Sequence, residues 1–430
     1  MVVNSMSYAT YERYKDSGVD WLGEIPSDWE LLKVKNIFRL VMKFAPKNND
    51  CELLSVYTDI GVKPRKELEE RGNRATTTDG YLIVEKGDIV VNKLLAWMGA
   101  IGLSDYDGVT SPAYDILKPK IPIEGIFYHL LFRSPQCTSE LRRYSRGIMD
   151  MRLRLYFDKF GDVVVPYPNI EVQKKIVSFL AKKTTQIDQA IALKQQQIEK
   201  LGEYKQIVIQ NAVTKGLNPN APMKDSGVAW IGDIPEHWQM KRLKYVLDER
   251  NERSKTGEEP LFMVSQKYGL VVRADYHEKA EVAQSNIDNK IVYKNDLVFN
   301  KLKPHLGVFY KSEIDFKGLV SPDYAVYKVK NYIYDMKYLE LLFRNPKYIE
   351  QFIIRATGIV EGLIRLYTAS LFELPVMIPP KEEQKAILNF VKKENNKIDI
   401  SQQNLEKQID RLKEYKNILI NQAVTGKIKI

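Results

Sequence analysis

Two cysteines in a chain of 430 residues leave little room for sulfur chemistry. Cys51 and Cys137 form no CxxC spacing and have no histidine cluster beside them, which argues against both a zinc site and a disulfide framework. No run of about 18 apolar residues occurs, so no membrane span is expected. Met1–Thr10 lacks the basic-then-apolar order of a secretory leader, and the expected location is the cytoplasm. Also missing is the glycine-rich loop that a methyl donor would need. No paired carboxylates with a lysine suggest a nuclease. The chain is therefore expected to hold no catalytic residue, no metal and no cofactor.

What is present is positive charge and repetition. Lys and Arg number 65 against 55 Asp and Glu, a formal net charge of +10 that favours a polyanionic partner. Residues 187–212 and 398–423 are two versions of one stretch. Steps of four and three give Ile187, Ile191, Lys194, Ile198, Leu201, Lys205, Val208 and Ala212 in the first, and Ile398, Gln402, Leu405, Ile409, Leu412, Lys416, Leu419 and Ala423 in the second. This heptad seam, with its polar lapses, predicts two long helices that pack on each other. At 1.5 Å per residue each stretch makes a rod of roughly 40 Å.

The repetition extends over the whole chain. K-D-S-G-V-D-W-L-G-E-I-P-S-D-W opens at Lys15 and K-D-S-G-V-A-W-I-G-D-I-P-E-H-W at Lys224. K-G-D-I-V-V-N-K at Lys86 matches K-N-D-L-V-F-N-K at Lys294, Ser111-Pro112-Ala113-Tyr114 matches Ser321-Pro322-Asp323-Tyr324, and L-L-F-R-S-P at Leu130 matches L-L-F-R-N-P at Leu341. Gly147-Ile148 with Arg154-Leu155-Tyr156 matches Gly358-Ile359 with Arg365-Leu366-Tyr367. So large an offset marks a duplicated domain, not a solenoid. Within each copy, Leu82–Asn92 and Ile291–Asn300 read as β-rich around a turn, Phe127–Phe132 and Met336–Phe343 as helices ended by Ser-Pro and Asn-Pro, and Val163–Pro166 and Leu374–Val376 as a last strand. Glu171-x-Gln173 and Glu382-x-Gln384 suit a helix N-terminus. The order is globule, long helix, globule, long helix, a mixed α/β (α+β) class.

The two D-S-G-V-x-W straps, the two S-P-x-Y blocks and the two P…E-x-Q junctions resemble the specificity subunit of Type I restriction–modification systems, over residues 15–428. The resemblance implies two tandem target recognition domains, residues 1–165 and 218–377, separated by long antiparallel helices, residues 166–217 and 378–430, with internal pseudo-twofold symmetry. It further implies that each domain reads one half of a bipartite double-stranded DNA site. The helices would dock two methyltransferase subunits and, through them, restriction subunits. A ~40 Å rod is close to one turn of DNA, ~34–36 Å, so the half-sites are expected about one turn apart.

Two copies that read different half-sites must differ where they touch bases. Tyr57, Thr58 and Asp59 stand where the second copy has Ser265, Gln266 and Lys267; Trp97 follows one shared Asn-Lys-Leu, and Lys303 and His305 follow the other. These are the candidate base readers, since Gln pairs with adenine, Lys with guanine, and Asp accepts from cytosine. Lys93, Lys301, Arg154 and Arg365, common to both copies, suit phosphates. Trp21, Trp29, Trp230 and Trp238 read as core anchors. Two rival readings are a self-contained DNA amino-methyltransferase and a coiled-coil scaffold that binds no DNA. S-P-x-Y lacks the second proline of an N-P-P-Y loop, and His129, His237, His277 and His305 fall at unmatched positions, against the first rival. The basic balance and varied polar loops speak against the second.

Overall fold

Each D-S-G strap folds on itself because its aspartate makes an Asx turn. Asp16 accepts from the Gly18 amide and Asp225 from the Gly227 amide, both at 2.9 Å. Gly18 and Gly227 have φ of +66° and +72°, which a side chain would oppose. The turn pairs Tyr14–Asp16 with Glu24–Pro26, and Met223–Asp225 with Asp233–Pro235. The second tryptophan of each strap, Trp29 or Trp238, then drops into a core at 1% or 0% exposure, as expected of an anchor. These descriptions come from a computed structural model, which describes residues 8–67, 77–147, 153–265, 268–276, 286–358 and 364–430; Ile148, Ile359 and His277 lie outside them.

The strap leads into Glu30–Lys33, which pairs antiparallel with the last strand, Val164–Tyr167; Gln239–Arg242 pairs likewise with Pro375–Ile378. Inside this bracket lies a four-stranded antiparallel sheet. Its order in the first copy is Phe38–Val41, Tyr114–Pro119, Ile89–Asn92, Ile101–Leu103. In the second it is Leu247–Glu249, Tyr324–Val329, Leu297–Asn300, Phe309–Lys311. The β-rich segments are not hairpins. Asp88 accepts from the Glu85 amide and Asp296 from the Tyr293 amide, both at 2.8 Å, and the turns so formed send the flanking strands to different partners. The helices Gly125–Phe132 and Met336–Leu342 stop before Ser134-Pro135 and Asn345-Pro346. There Ser134 or Asn345 caps a following helix that takes proline in its first turn.

The long helices run from Ile170 to Lys215 and from Lys381 to Val424, 46 and 44 residues, or about 69 and 66 Å. They begin well before the heptad seam because their first turns serve the globules instead. Ile176 and Leu180 are buried in one core, Ile387 and Val391 in another. Gln173, fully buried, donates to Pro168 O at 2.7 Å and accepts from the Glu124 amide at 2.8 Å; Gln384 donates to Tyr332 O and Pro379 O and accepts from the Tyr334 amide. The E-x-Q motif thus fastens helix to globule as well as starting the helix.

By packing, the chain forms two compact units, Met1–Gln195 with Glu406–Ile430, and Gln196–Leu405. Each core seats the beginning of one long helix and the end of the other. The first unit combines Trp29, Ile176 and Leu180 with Leu419, Ala423 and Val424; the second combines Trp238, Ile387 and Val391 with Ile209, Ala212 and Val213. Within each unit the helices run antiparallel, and the polar lapses of the seam are paired. In the first unit Lys416 bonds Asp188 at 2.7 Å and Lys194 bonds Gln408 at 2.6 Å. In the second Lys205 bonds Asp399 at 2.6 Å and Gln402 donates to Ile198 O at 3.1 Å. Asp188–Lys416 and Asp399–Lys205 are reciprocal pairs, each joining a seam lysine of one helix to the aspartate beside the first seam residue of the other.

Candidate nucleic-acid interface

In the first unit Leu54–Tyr57 and Gly61–Pro64 form a hairpin, and Gly61, at φ +82°, lets the chain turn through Thr58–Ile60. Thr58 and Asp59 are exposed at its tip. Trp97 lies in the short turn Ala96–Met98, closed by Gly99 at φ +93°. These two segments are brought together by Arg133, the residue that follows the helix Gly125–Phe132. The Arg133 guanidinium donates to Tyr57 O (3.1 Å), Thr58 O (2.8 Å), Gly99 O (3.1 Å) and Ile101 O (3.3 Å). Trp97 itself is half-buried: its indole donates to Leu94 O at 3.1 Å, and Arg142 lies 5.0 Å from the ring centroid.

One turn before Arg133, His129 Nδ1 accepts from the Leu103 amide at 3.1 Å. Burial, reinforced by the Arg133 charge, pushes its pKa down to about 4, so the neutral ring that can accept this bond is the form present at neutral pH. The second unit has Glu340 at the matching place, and Glu340 accepts from the Lys311 amide at 2.9 Å. One acceptor position is thus filled by two chemistries. The carboxylate has a further effect, because it also takes Lys337 at 2.7 Å and Arg344, the counterpart of Arg133, at 2.8 Å. Arg344 lies over the Tyr310 ring, 4.9 Å from its centroid.

The second unit displays a different set of groups. Ser265 ends the strand Phe262–Ser265, and its hydroxyl accepts from the Tyr268 amide at 3.3 Å. Gln266 and Lys267 lie outside the described residues. Lys303 and His305 are exposed on the turn around Pro304–Leu306, closed by Gly307 at φ +57°. Phe262–Ser265 pairs with Gly269–Val272 in a hairpin, and Tyr268 and Tyr276, both about half exposed, flank the second strand with ring centroids 4.6 Å apart.

The matched cations are held in unlike ways. Asn92 and Asn300 each accept from the amide two residues on, at 3.0 Å, which shapes both Asn-Lys-Leu blocks alike. Lys93 then turns inward, to Pro112 O at 2.8 Å and to Asp115 at 3.4 Å. In the second unit Ala325 replaces that aspartate. Among the described residues no side chain bonds the Lys301 ammonium, whose pKa is lowered by burial and by Lys290. Conversely Arg365 bonds Asp323 at 3.1 Å, where the first unit has Ala113, and Arg154 donates to its neighbour Leu153 O at 2.9 Å. Lys301→Ala is therefore expected to weaken binding to all DNA sequences alike and to lower the salt slope by about one. Lys93→Ala leaves the largely buried Asp115 without its cation and is expected to lower unfolding free energy by about 1–3 kcal/mol, with little change in the salt slope. Salt-dependent binding and thermal unfolding of both variants check this; equal salt-slope losses would refute it.

Arg133, His129, Glu340 and Arg344 had one signal in the sequence: a matched arginine after a matched helix, preceded at i−4 by residues that differ.

Two tandem mixed units, each with varied loops on a common frame, define a duplicated-domain protein. The model for the Type I restriction modification DNA specificity domain matches residues 26–203 and again 235–411. The chain belongs to that family, with two copies of the domain in tandem, and is a specificity subunit, not an enzyme. It is 23% identical over 426 residues to the Type I restriction enzyme MjaVIII specificity subunit of Methanocaldococcus jannaschii, covering 94% of each chain. Two solved structures share the fold. One, from work on complex assembly and conformational transition of the type I R-M system, has TM-score 0.63, 14% identity, and 93% and 98% coverage of this chain and of its own. The other, the HsdS subunit from Thermoanaerobacter tengcongensis, has TM-score 0.52, 14% identity, and 94% and 98% coverage. Among the described residues no helix is long and apolar enough to cross a membrane.

Proposed function

We propose that each unit reads one half of a split double-stranded DNA site, so that methylation by partner subunits, and cleavage by further subunits, falls only where both halves occur. The observation that carries this is a common frame with unlike tips: Thr58 and Asp59 in the first hairpin against Ser265 at the edge of the second, and half-buried Trp97 against exposed Lys303 and His305. Base edges are distinguished by such polar differences, whereas a cation with no carboxylate partner among the described residues, such as Lys301, serves the phosphates. Gln266 and Lys267 complete the second candidate set. The outer faces of the long helices suit docking of two methyltransferase subunits. In the first unit Leu193 and Ile418 are exposed there, and in the second Ile207 and Ile400. Restriction subunits would join through the methyltransferase, and the assembly would work in the cytoplasm.

The test is a genome-wide map of methylated bases in cells with and without this chain. The expected result is a two-part motif with unread base pairs between its halves, present only with the chain. A map that does not change on its removal would sink the reading.

A further inference from the structure

We propose that Arg133 is a positioning residue for the first unit, holding its two candidate base-reading segments in one fixed relation. The inference rests on the functional reading above. One guanidinium reaches the carbonyls of Tyr57 and Thr58 on the hairpin turn and of Gly99 and Ile101 beside the Trp97 turn. These segments lie about forty residues apart in the chain but abut here: a Cβ on Gly99 would stand 3.8 Å from Thr58 O. No ladder hydrogen bond joins the hairpin Leu54–Tyr57/Gly61–Pro64 to the turn around Trp97 among the described strand pairs. Their relation therefore depends on side chains.

His129 supports the same junction from one turn earlier. A Cβ on Gly61 would come within 2.9 Å of its ring, and one on Gly102 within 3.2 Å. Arginine suits the task because its planar fork carries five donors and stays charged, so it can serve several carbonyls at once; lysine offers a single point of attachment. The second unit is the internal comparison. There the matching arginine, Arg344, bonds Glu340 at 2.8 Å, four residues earlier.

The consequence is a loss of selectivity with no loss of phosphate contact. Three variants of the full chain, Arg133→Met, Arg133→Lys and His129→Glu, are compared with the native chain in the assembled methyltransferase. Methylation is measured on the cognate site and on sites with single-base changes in either half. His129→Glu places a carboxylate where the second unit already carries one, four residues before the arginine, so the fold has room for it and the guanidinium is drawn off the loops.

Arg133→Met and His129→Glu are expected to reduce discrimination in the first half-site by about tenfold or more, the scale of one base contact. Discrimination in the second half-site, affinity for non-specific DNA and its salt slope stay as in the native complex. Arg133→Lys recovers part of the loss. Unchanged first-half discrimination in a folded His129→Glu complex overturns the proposal, even if Arg133→Met fails to fold. A salt slope lowered by about one in Arg133→Met also overturns it, because Arg133 would then be a phosphate contact. If the native complex itself methylates no two-part site, the functional reading has failed, which no Arg133 variant can mimic.

Discussion

Replacing residues 15–165 by the corresponding residues of another family member is expected to change the bases recognised in one half-site and leave the other half unchanged. Each altered base pair is worth about 1–3 kcal/mol, so even two changes shift preference by roughly 30-fold to more than 10⁴-fold. The exchange has a structural condition. Leu22, Ile25, Trp29, Val163 and Val165 pack in one core with Ile176 and Leu180 of the first long helix and with Leu419, Ala423 and Val424 of the second. The incoming globule must keep the apolar volume at those positions, since overpacking or voids there cost about 1–5 kcal/mol apiece. Methylation mapping of the hybrid decides the matter: a motif altered in both halves would mean that the units do not read independently.

The second large effect concerns stability. Trp238→Ala is expected to lower unfolding free energy by about 3–5 kcal/mol, which lowers Tm by roughly 10 °C for a unit of this size. Trp238 has no exposed surface, sits 3.3 Å from where a Cβ on Gly216 would lie, and donates its indole hydrogen to Glu383 at 3.0 Å. It therefore ties the strap to the end of one long helix and to the first turn of the other. Trp238→Phe keeps most of the packing and loses that hydrogen bond; with His237 still 2.6 Å from Glu383, its cost should be only about 1 kcal/mol. Limited proteolysis of Trp238→Ala should cut first within residues 196–405. Equal losses for the two variants, or first cuts within the other unit, would show that this tryptophan is not the anchor of its core.

Much of the fold was legible because local physics wrote it into the chain twice. The D-S-G turn, the proline that ends one helix and begins the next, and the heptad seam are short-range features, and duplication separated the invariant frame from the variable tips. The lysines at seam positions 194, 205 and 416 read only as lapses in an apolar pattern. Their partners Gln408, Asp399 and Asp188 lie about two hundred residues away, beyond the reach of spacing arguments.

The candidate interface was legible in outline and not in detail. Lys93 and Lys301 look equivalent, yet Asp115 pairs with one and Ala325 stands beside the place of the other. Trp97 looks like a surface aromatic until its indole is seen to bond Leu94 O. Arg133 looks like the last residue of a helix until its four carbonyl partners are counted.

The sequence by itself determined the duplicated domain, the strap, the two long helices and the family, because each rests on residue order within a few turns of chain. Only the tertiary structure decided that each core is completed by the far end of the other helix. It also decided which matched cation pairs with a carboxylate and that Arg133 serves the carbonyls of two loops. The physical reason is that burial and charge pairing depend on which groups meet in space, and many of those that meet here lie tens to hundreds of residues apart in the chain.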